Sequence, residues 1–432
     1  MAGGVRQHLR RAAALALAAV AAGCLAAPGT AQAAKRMEVA LADDPVFLAR
    51  AYYDRDRALQ HARELGVTRL RVVVTWAAVL GKQGEAAEPP AQPAYYWGWY
   101  EQLIDAAAAA GIRVQLVIAP PAPAFATGDR QIGVTRPDPK LFGEFARAVA
   151  TRFRGRVDRY SVWNEPNHDG WLKPLKEAPA IYRALYQSAY AAIKGVDRRA
   201  LVLFGETAPY KGSRATAPLD FLRRTACVTR RYKVDSKCLA AAPEYARGPL
   251  RTDGYAHHPY DFKHPPSYRY RGADNVTVGT LSRLSSALDR LARARALATA
   301  KRRAPLLYLT EFGYFATGPR ATAEKRRARY LPQAFAIAQR NPRVSQMLHY
   351  GLVGPPSTQS GSAFDFGLLT ADGAQRPPYA PLAAWARQSM SKRRIAAPGG
   401  PISLPPAQPG ADPPGEPPPP PPSLLPPIPL PF

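Results

Sequence analysis

The sequence predicts an α/β chain whose eight strands close into one parallel barrel. Three observations point that way. Short apolar runs alternate with longer helical segments eight times along the 432 residues, a spacing that suits a closed barrel better than an open doubly wound sheet. Two of those runs, ending at Trp163 and Thr310, are followed by a glutamate, Glu165 and Glu311. That places both acids at the C-terminal ends of strands, where such barrels build their sites. No glycine-rich G-x-G-x-x-G follows the first strand, which argues against a nucleotide-binding sheet.

The elements follow in order. Val39–Ala42 is the first strand, and a helix over Asp54–Leu65 ends at Gly66, a residue that accepts the left-handed turn after a helix. Arg69–Trp76, a β-branched run, is the second strand. The proline-rich stretch Ala77–Tyr96 reads as an irregular loop. A helix over Trp97–Ala110 leads through Gly111 into strand Arg113–Ile118, and Pro120–Pro123 opens another loop. The helix Leu141–Phe153 precedes strand Val157–Trp163. Next come helix Ala180–Lys194 and strand Leu201–Phe204, which ends in Gly205-Glu206. A helix around Leu219–Cys227 and an irregular insertion to Arg251 lead to strand Gly254–His258. Helix Val278–Ala300, strand Leu306–Thr310, helix Ala323–Arg340, strand Gln346–Tyr350 and helix Tyr379–Ser389 complete the pattern.

The two glutamates sit in distinctive company. Trp163-Asn164-Glu165-Pro166 ends one strand with an amide, an acid and a proline that cannot continue the ladder. Thr310-Glu311-Phe312-Gly313 ends the other. Together they resemble the strand-four and strand-seven signatures of the clan of retaining glycoside hydrolases with TIM-barrel folds, clan A, which includes cellulases, mannanases and β-xylosidases. The flavour is closest to glycoside hydrolase families 5 and 39, and the resemblance spans Val39 to Gln388. It implies a (β/α)8 TIM barrel that cleaves O-glycosidic, β-linked bonds by double displacement. Glu165 would be the acid/base and Glu311 the nucleophile. The chemistry needs two carboxyls about 5–5.5 Å apart. It also needs the acid to hold its proton more tightly than the nucleophile, which apolar neighbours and a nearby negative Glu311 would arrange for Glu165.

The resemblance assigns further residues to the substrate site. Asn164 would bond the sugar 2-hydroxyl, and His258-Pro259-Tyr260 matches an H-x-Y pattern whose tyrosine holds the nucleophile. Arg71 resembles a supporting arginine on strand two, although alternation leaves either Arg69 or Arg71 facing inward. Tyr350 stands where many members carry a tryptophan at the end of strand eight. Trp76 and Trp171, with Trp97 and Trp99, lie on or near loops above the barrel, where aromatic faces stack on sugars. Glu206 is the rival carboxylate.

Composition bounds the rest. Arg6, Arg10 and Arg11, an apolar run Ala12–Ala22 and the Ala31-Gln32-Ala33 site read as a secretory signal over residues 1–34. A lipoprotein signal acylated at Cys24 is the rival reading. An exported chain with Cys227 and Cys238 left over suggests a disulfide between them. The cysteine count suggests no metal site, and no cofactor is expected. The barrel is assigned to 35–396. Seventeen of the 46 prolines fall from Ala397 onward, so 397–432 reads as a disordered proline-rich tail or spacer. No later segment approaches a membrane span. The net charge of +27 is scattered arginine without interleaved aromatics, so no nucleic acid is expected. Attraction to an anionic cell-wall polymer or an acidic sugar explains it as well. The expected protein is therefore a secreted monomer, extracellular or held at the cell wall, acting on an oligo- or polysaccharide. Its rivals are an inactive barrel that binds polysaccharide and an adhesion protein working through the tail.

Overall fold

The computed structural model describes residues 36–356 and 365–407. Eight parallel strands form a closed barrel: β1 (Glu38–Ala42), β2 (Val67–Thr75), β3 (Arg113–Ala119), β4 (Arg159–Val162), β5 (Leu201–Thr207), β6 (Gly254–His257), β7 (Leu306–Leu309) and β8 (Val344–Tyr350). Neighbours pair in chain order and β8 closes onto β1, Ala40 lying opposite Leu348. A helix returns the chain after each strand: α1 (Arg55–Glu64), α2 (Gly98–Ala109), α3 (Pro139–Arg152), α4 (Ala178–Val196), α5 (Pro218–Thr225), α6 (Leu281–Arg293), α7 (Glu324–Arg340) and α8 (Tyr379–Ser391). The fold is therefore the predicted (β/α)8 barrel. No helix among the described residues is long and apolar enough to cross a membrane.

Local chemistry explains why the elements stop where they do. Asp54 and Asp138 cap α1 and α3 by accepting from backbone amides in the first turn. The main departure from expectation is the helix predicted to run to Ala300. It ends at Arg293 because Arg295 turns to φ 56° and the Ala296 amide closes back on Leu291. Leu297–Ala298 then pairs with Leu250–Arg251 as a small outlying ribbon. The loop expected at Ala77–Tyr96 contains a short helix, Trp76–Leu80, and a turn of 3-10 helix at Gly81–Glu85.

Apolar side chains fill the space between strands and helices, while the inside of the barrel is mixed, with charged groups at its two ends and small apolar clusters, Ala40–Ala42–Leu348 and Leu203–Ala256–Tyr308, between them. Its lower end holds Arg69 and Arg159 against Glu38 and Asp158, with Arg69–Asp158 at 2.6 Å and Arg159–Glu38 at 2.6 Å. Arg159 also lies over the Tyr308 ring. The Cys227–Cys238 disulfide forms, and Cys238 lies in the first turn of a short helix, Ser236–Ala241.

The stretch 397–407, grouped with the tail by its prolines, follows the barrel. Gly399 accepts from the Arg63 side chain, Ile402 N–H donates to Ala108 O, and Leu404 packs on the core. The rest of the tail, the signal over 1–34 and Cys24 lie outside the described residues.

One backbone position fixes the mouth of the barrel. Gly205 sits at φ 121°, and a Cβ there would meet Ala256 O at 2.4 Å. Only glycine tolerates that region, and the turn swings Glu206 inward. Gly205→Ala is expected to destabilise the protein by about 3 kcal/mol. A chemical-denaturation midpoint equal to wild type would show that the turn carries no such strain.

Candidate active site

Strand ends bring the site together. On β2, residues two apart share a face, so Arg69 and Arg71 both point inward, one layer apart. The sequence posed them as alternatives; the barrel uses both. Arg69 belongs to the lower network, and Arg71 reaches the mouth. There its Nη1 meets Glu311 Oε1 at 3.0 Å, and its Nη2 meets Glu206 Oε2 at 3.0 Å and Asn164 Oδ1 at 3.1 Å.

After β4, Trp163 and Glu165 adopt φ 68° and 35°. The kink turns Glu165 toward the barrel axis and seals Trp163 below it, its indole N–H donating to Trp171 O. Glu165 Oε1 accepts from His258 Nδ1 at 2.9 Å. The other nitrogen of His258 donates to Glu206 Oε2 at 2.7 Å. Tyr260 donates to Glu311 Oε2 at 3.1 Å, and Thr310 donates to Glu206. Carboxylate oxygens of Glu165 and Glu311 and a nitrogen of His258 lie within 4.8 Å of one another. Glu165 and Glu311 retain 12 % and 11 % side-chain exposure, whereas Glu206 and His258 have none. Tyr350 packs edge-on to Phe366, close enough to feel the Glu311 charge.

The electrostatics follow from these contacts. Burial works against charge on His258, but Glu311, Glu165 and Glu206 overcome it and raise its pKa to about 10. It is a cation at neutral pH, with both ring nitrogens donating. The oxygens of Glu165 and Glu311 and a nitrogen of His258 have the spacing of a metal site, but both ring nitrogens of His258 are already paired, with Glu165 and with Glu206. Burial would likewise raise Glu206, but Arg71 and His258 hold it down at about 2.

The pair of acids reverses the predicted order. Burial pushes Glu165 up, and the hydrogen bond and charge of His258, with His168 and Arg71, bring it below the usual glutamate value. Burial dominates at Glu311 and raises it despite His258 and Arg71. The sequence reading assumed apolar neighbours for Glu165; its immediate neighbour is a cation.

Trp76 and Trp171 are not sugar platforms. Trp76 stacks on Phe145 at 5.5 Å inside the core, Trp171 is buried, and Trp97 packs on Phe153. Trp99 packs partly buried against the same core. Tyr260, which touches Glu311, is itself packed in a buried aromatic cluster with Phe262, Phe312 and Phe366.

Sequence reasoning missed Asp43 and Asp44. Asp43 accepts from the Leu352 and Val353 amides, and Asp44 accepts from the Val73 amide beside Arg71. Burial first, then neighbouring acids, pushes them up to about 6 and about 7. Two acids directly after β1 were the available signal, since Glu165 and Glu311 also follow strand ends within three residues.

Comparisons with known proteins agree with this architecture. No protein-family model matches the sequence, and no curated protein matches it. Among solved structures, a family 39 glycoside hydrolase from Bacteroides cellulosilyticus WH2 superposes with TM-score 0.59 at 19% identity over 82% of this chain. The chain spans 64% of that protein's length. A monomeric β-xylosidase from Caulobacter crescentus CB15 gives TM-score 0.53 at 19% identity, covering 82% of this chain and 68% of the other. Xylanase 10B from Thermotoga maritima gives 0.51 at 15% identity, covering 83% and 96%. At these identities the likeness is one of fold.

The two adjacent histidines should titrate in opposite senses. His257 donates to Val276 O, accepts from Thr207, and is pushed down to about 4 by burial. Ring 15N chemical shifts are therefore expected to show His258 charged through pH 8 and His257 neutral down to pH 5. A midpoint near 6.5 for His258 would contradict a cage of carboxylates around its ring.

Proposed function

We propose that this protein is a secreted retaining glycoside hydrolase that cleaves β-linked O-glycosidic bonds of an oligo- or polysaccharide, acting as a monomer. The single observation that carries the reading is the carboxylate pair, Glu165 and Glu311, with oxygens within 4.8 Å at the C-terminal mouth of a parallel barrel. Retaining enzymes hold their carboxyls about 5–5.5 Å apart, whereas inverting enzymes leave about 6.5–9.5 Å for a water. The fold shared with the family 39 enzyme and the xylanase supports the same reading.

In this mechanism Glu311 attacks the anomeric carbon while Arg71 and Tyr260 each hold one of its oxygens. Glu165 protonates the departing oxygen. Asn164 gives its carbonyl to Arg71, which leaves its amide N–H to meet a sugar hydroxyl. The charges set where the proton sits. Two cations, Arg71 and His258, lie among Glu165, Glu206 and Glu311. The ionisations of Glu165 and Glu311 are therefore coupled, and the form the mechanism uses is the one with a single proton between them.

Before substrate binds, that proton favours Glu311. Positive charge developing at the anomeric carbon favours the anionic form of Glu311 and moves the proton to Glu165. Once Glu311 is esterified its charge is gone, and Glu165, held low by His258, is the carboxylate that activates water. The low pKa of Glu165 thus favours the second step and makes the first one sensitive to rising pH.

Glu311→Ala is expected to lower turnover of aryl β-glycosides by at least about 10³-fold, with azide or formate restoring part of it. Undiminished turnover in that variant would end the assignment. His258→Gln removes a cation that lowers both carboxyls, so both limbs of the pH profile of kcat/KM should move to higher pH. Limbs that stay in place would show that His258 does not set these pKa values.

A further inference from the structure

We infer that the end of the barrel opposite the carboxylate pair is a docking surface for a linear polyanion of the cell envelope, a polymer with one phosphodiester charge per repeat. The envelope as its source rests on the secreted part of the reading above. In a parallel barrel the helix-to-strand turns all lie at the N-terminal ends of the strands, away from the mouth. Three consecutive stretches of this kind are basic. Lys301-Arg302-Arg303 precedes β7, Arg340 ends α7 ahead of β8, and Lys392-Arg393-Arg394 follows α8. All of these residues are exposed, and the stretches 294–305, 341–343 and 392–396 contain no acid. Acids on the elements beside them are engaged within the barrel, Asp289 with Arg343 at 2.7 Å and Glu38 with Arg159 at 2.6 Å.

Topology joins these groups into one arc. Strands β7, β8 and β1 are consecutive neighbours in the closed sheet, and the stretch after α8 meets the start of β1, where Met37 N–H donates to Arg394 O. Two strand spacings, roughly 10 Å at the barrel wall, separate the ends of the arc. That span exceeds one small anion and suits the successive charges of a polymer, whose phosphates match guanidinium forks. Backbone bonds fix the other triplet, Arg302 N–H donating to Thr299 O and Thr299 N–H to Arg303 O. The arc occupies one side of this end only. Across the other side runs the segment after Ile395, with Gly399 accepting from Arg63, Ile402 bonded to Ala108 and Pro405 against Gly155. A line of charge beside a covered half fits a chain better than a flat membrane. The exposed large apolar side chains among the described residues, Ile132, Val234 and Tyr245, also lie outside the arc, so it carries no wedge for lipid. A protein held by this end presents Glu165 and Glu311 away from the polymer.

Binding of the full chain to immobilised poly(glycerol phosphate) tests this, and about 0.5 M NaCl should release it. Arg302→Glu, Arg303→Glu, Arg393→Glu and Arg394→Glu together should weaken binding by at least about 30-fold. Lys140→Glu, Lys173→Glu, Lys176→Glu and Lys211→Glu reverse exposed cations after β3, β4 and β5, on the mouth side. They change the net charge equally and should leave binding within about threefold. Equal losses in the two variants would mean that overall charge binds the polymer, which overturns the proposal. Binding to phosphatidylglycerol vesicles without binding to the polymer overturns it too. The wild-type chain decides the matter even if the arginine variant fails to fold. Bound polymer should shield Arg302 and Arg393 from phenylglyoxal and leave Lys140 and Lys211 open to acetylation; the converse pattern overturns the proposal. None of these readouts needs turnover, so their failure leaves the hydrolase reading standing, and Glu311→Ala tests that reading separately.

Discussion

The mouth of this barrel depends on one guanidinium. Arg71 has almost no solvent access and touches Glu311, Glu206 and Asn164 at once. Burying a charge in a protein interior is costly unless it is fully paired, so Arg71 and its partners stand or fall together. Because β2, β4, β5 and β7 each supply one of these residues, the ion network also fixes how the strand ends meet. Glu206 sits lowest and most enclosed, and it anchors Arg71 from one side and His258 from the other.

His258 extends the network to Glu165 and Glu311. Its two nitrogens span the fully buried Glu206 and the slightly exposed Glu165, so the charge state of Glu165 is coupled to a residue with no solvent access. The position immediately before it, His257, faces a wholly different environment, because successive strand residues point to opposite faces. A single pair of adjacent histidines thus holds one ring charged in the barrel and the other neutral against the Val276 carbonyl.

Much of this was legible in the sequence, and the parts that were not share a cause. Strand and helix order could be read because buried strands are short and β-branched while the helices carry their own periodicity and caps. Glu165, Glu311, Asn164 and Tyr260 could be placed together because each ends a strand. What local pattern cannot supply is which neighbour comes from elsewhere in the chain. Trp76 looked like a platform because it ends a strand, but β2 hands it to Phe142 and Phe145 of α3. Glu165 looked apolar in its surroundings because its sequence neighbours are Trp163 and Pro166, whereas its contact in space is His258. The choice between Arg69 and Arg71 dissolved because each has its own acids in a separate layer, Glu38 and Asp158 for one, Glu206 and Glu311 for the other. The end of α6 was missed because the residue that stops it, Arg295, is neither glycine nor proline.

A double displacement across two glutamates this close fixes the stereochemistry of the product. Proton NMR during the first minutes of hydrolysis of a β-glycoside, before mutarotation, reads that outcome directly. The β anomer of the released sugar should appear first and then decay toward equilibrium. Initial appearance of the α anomer would mean inversion, and Glu311 could not then be the nucleophile.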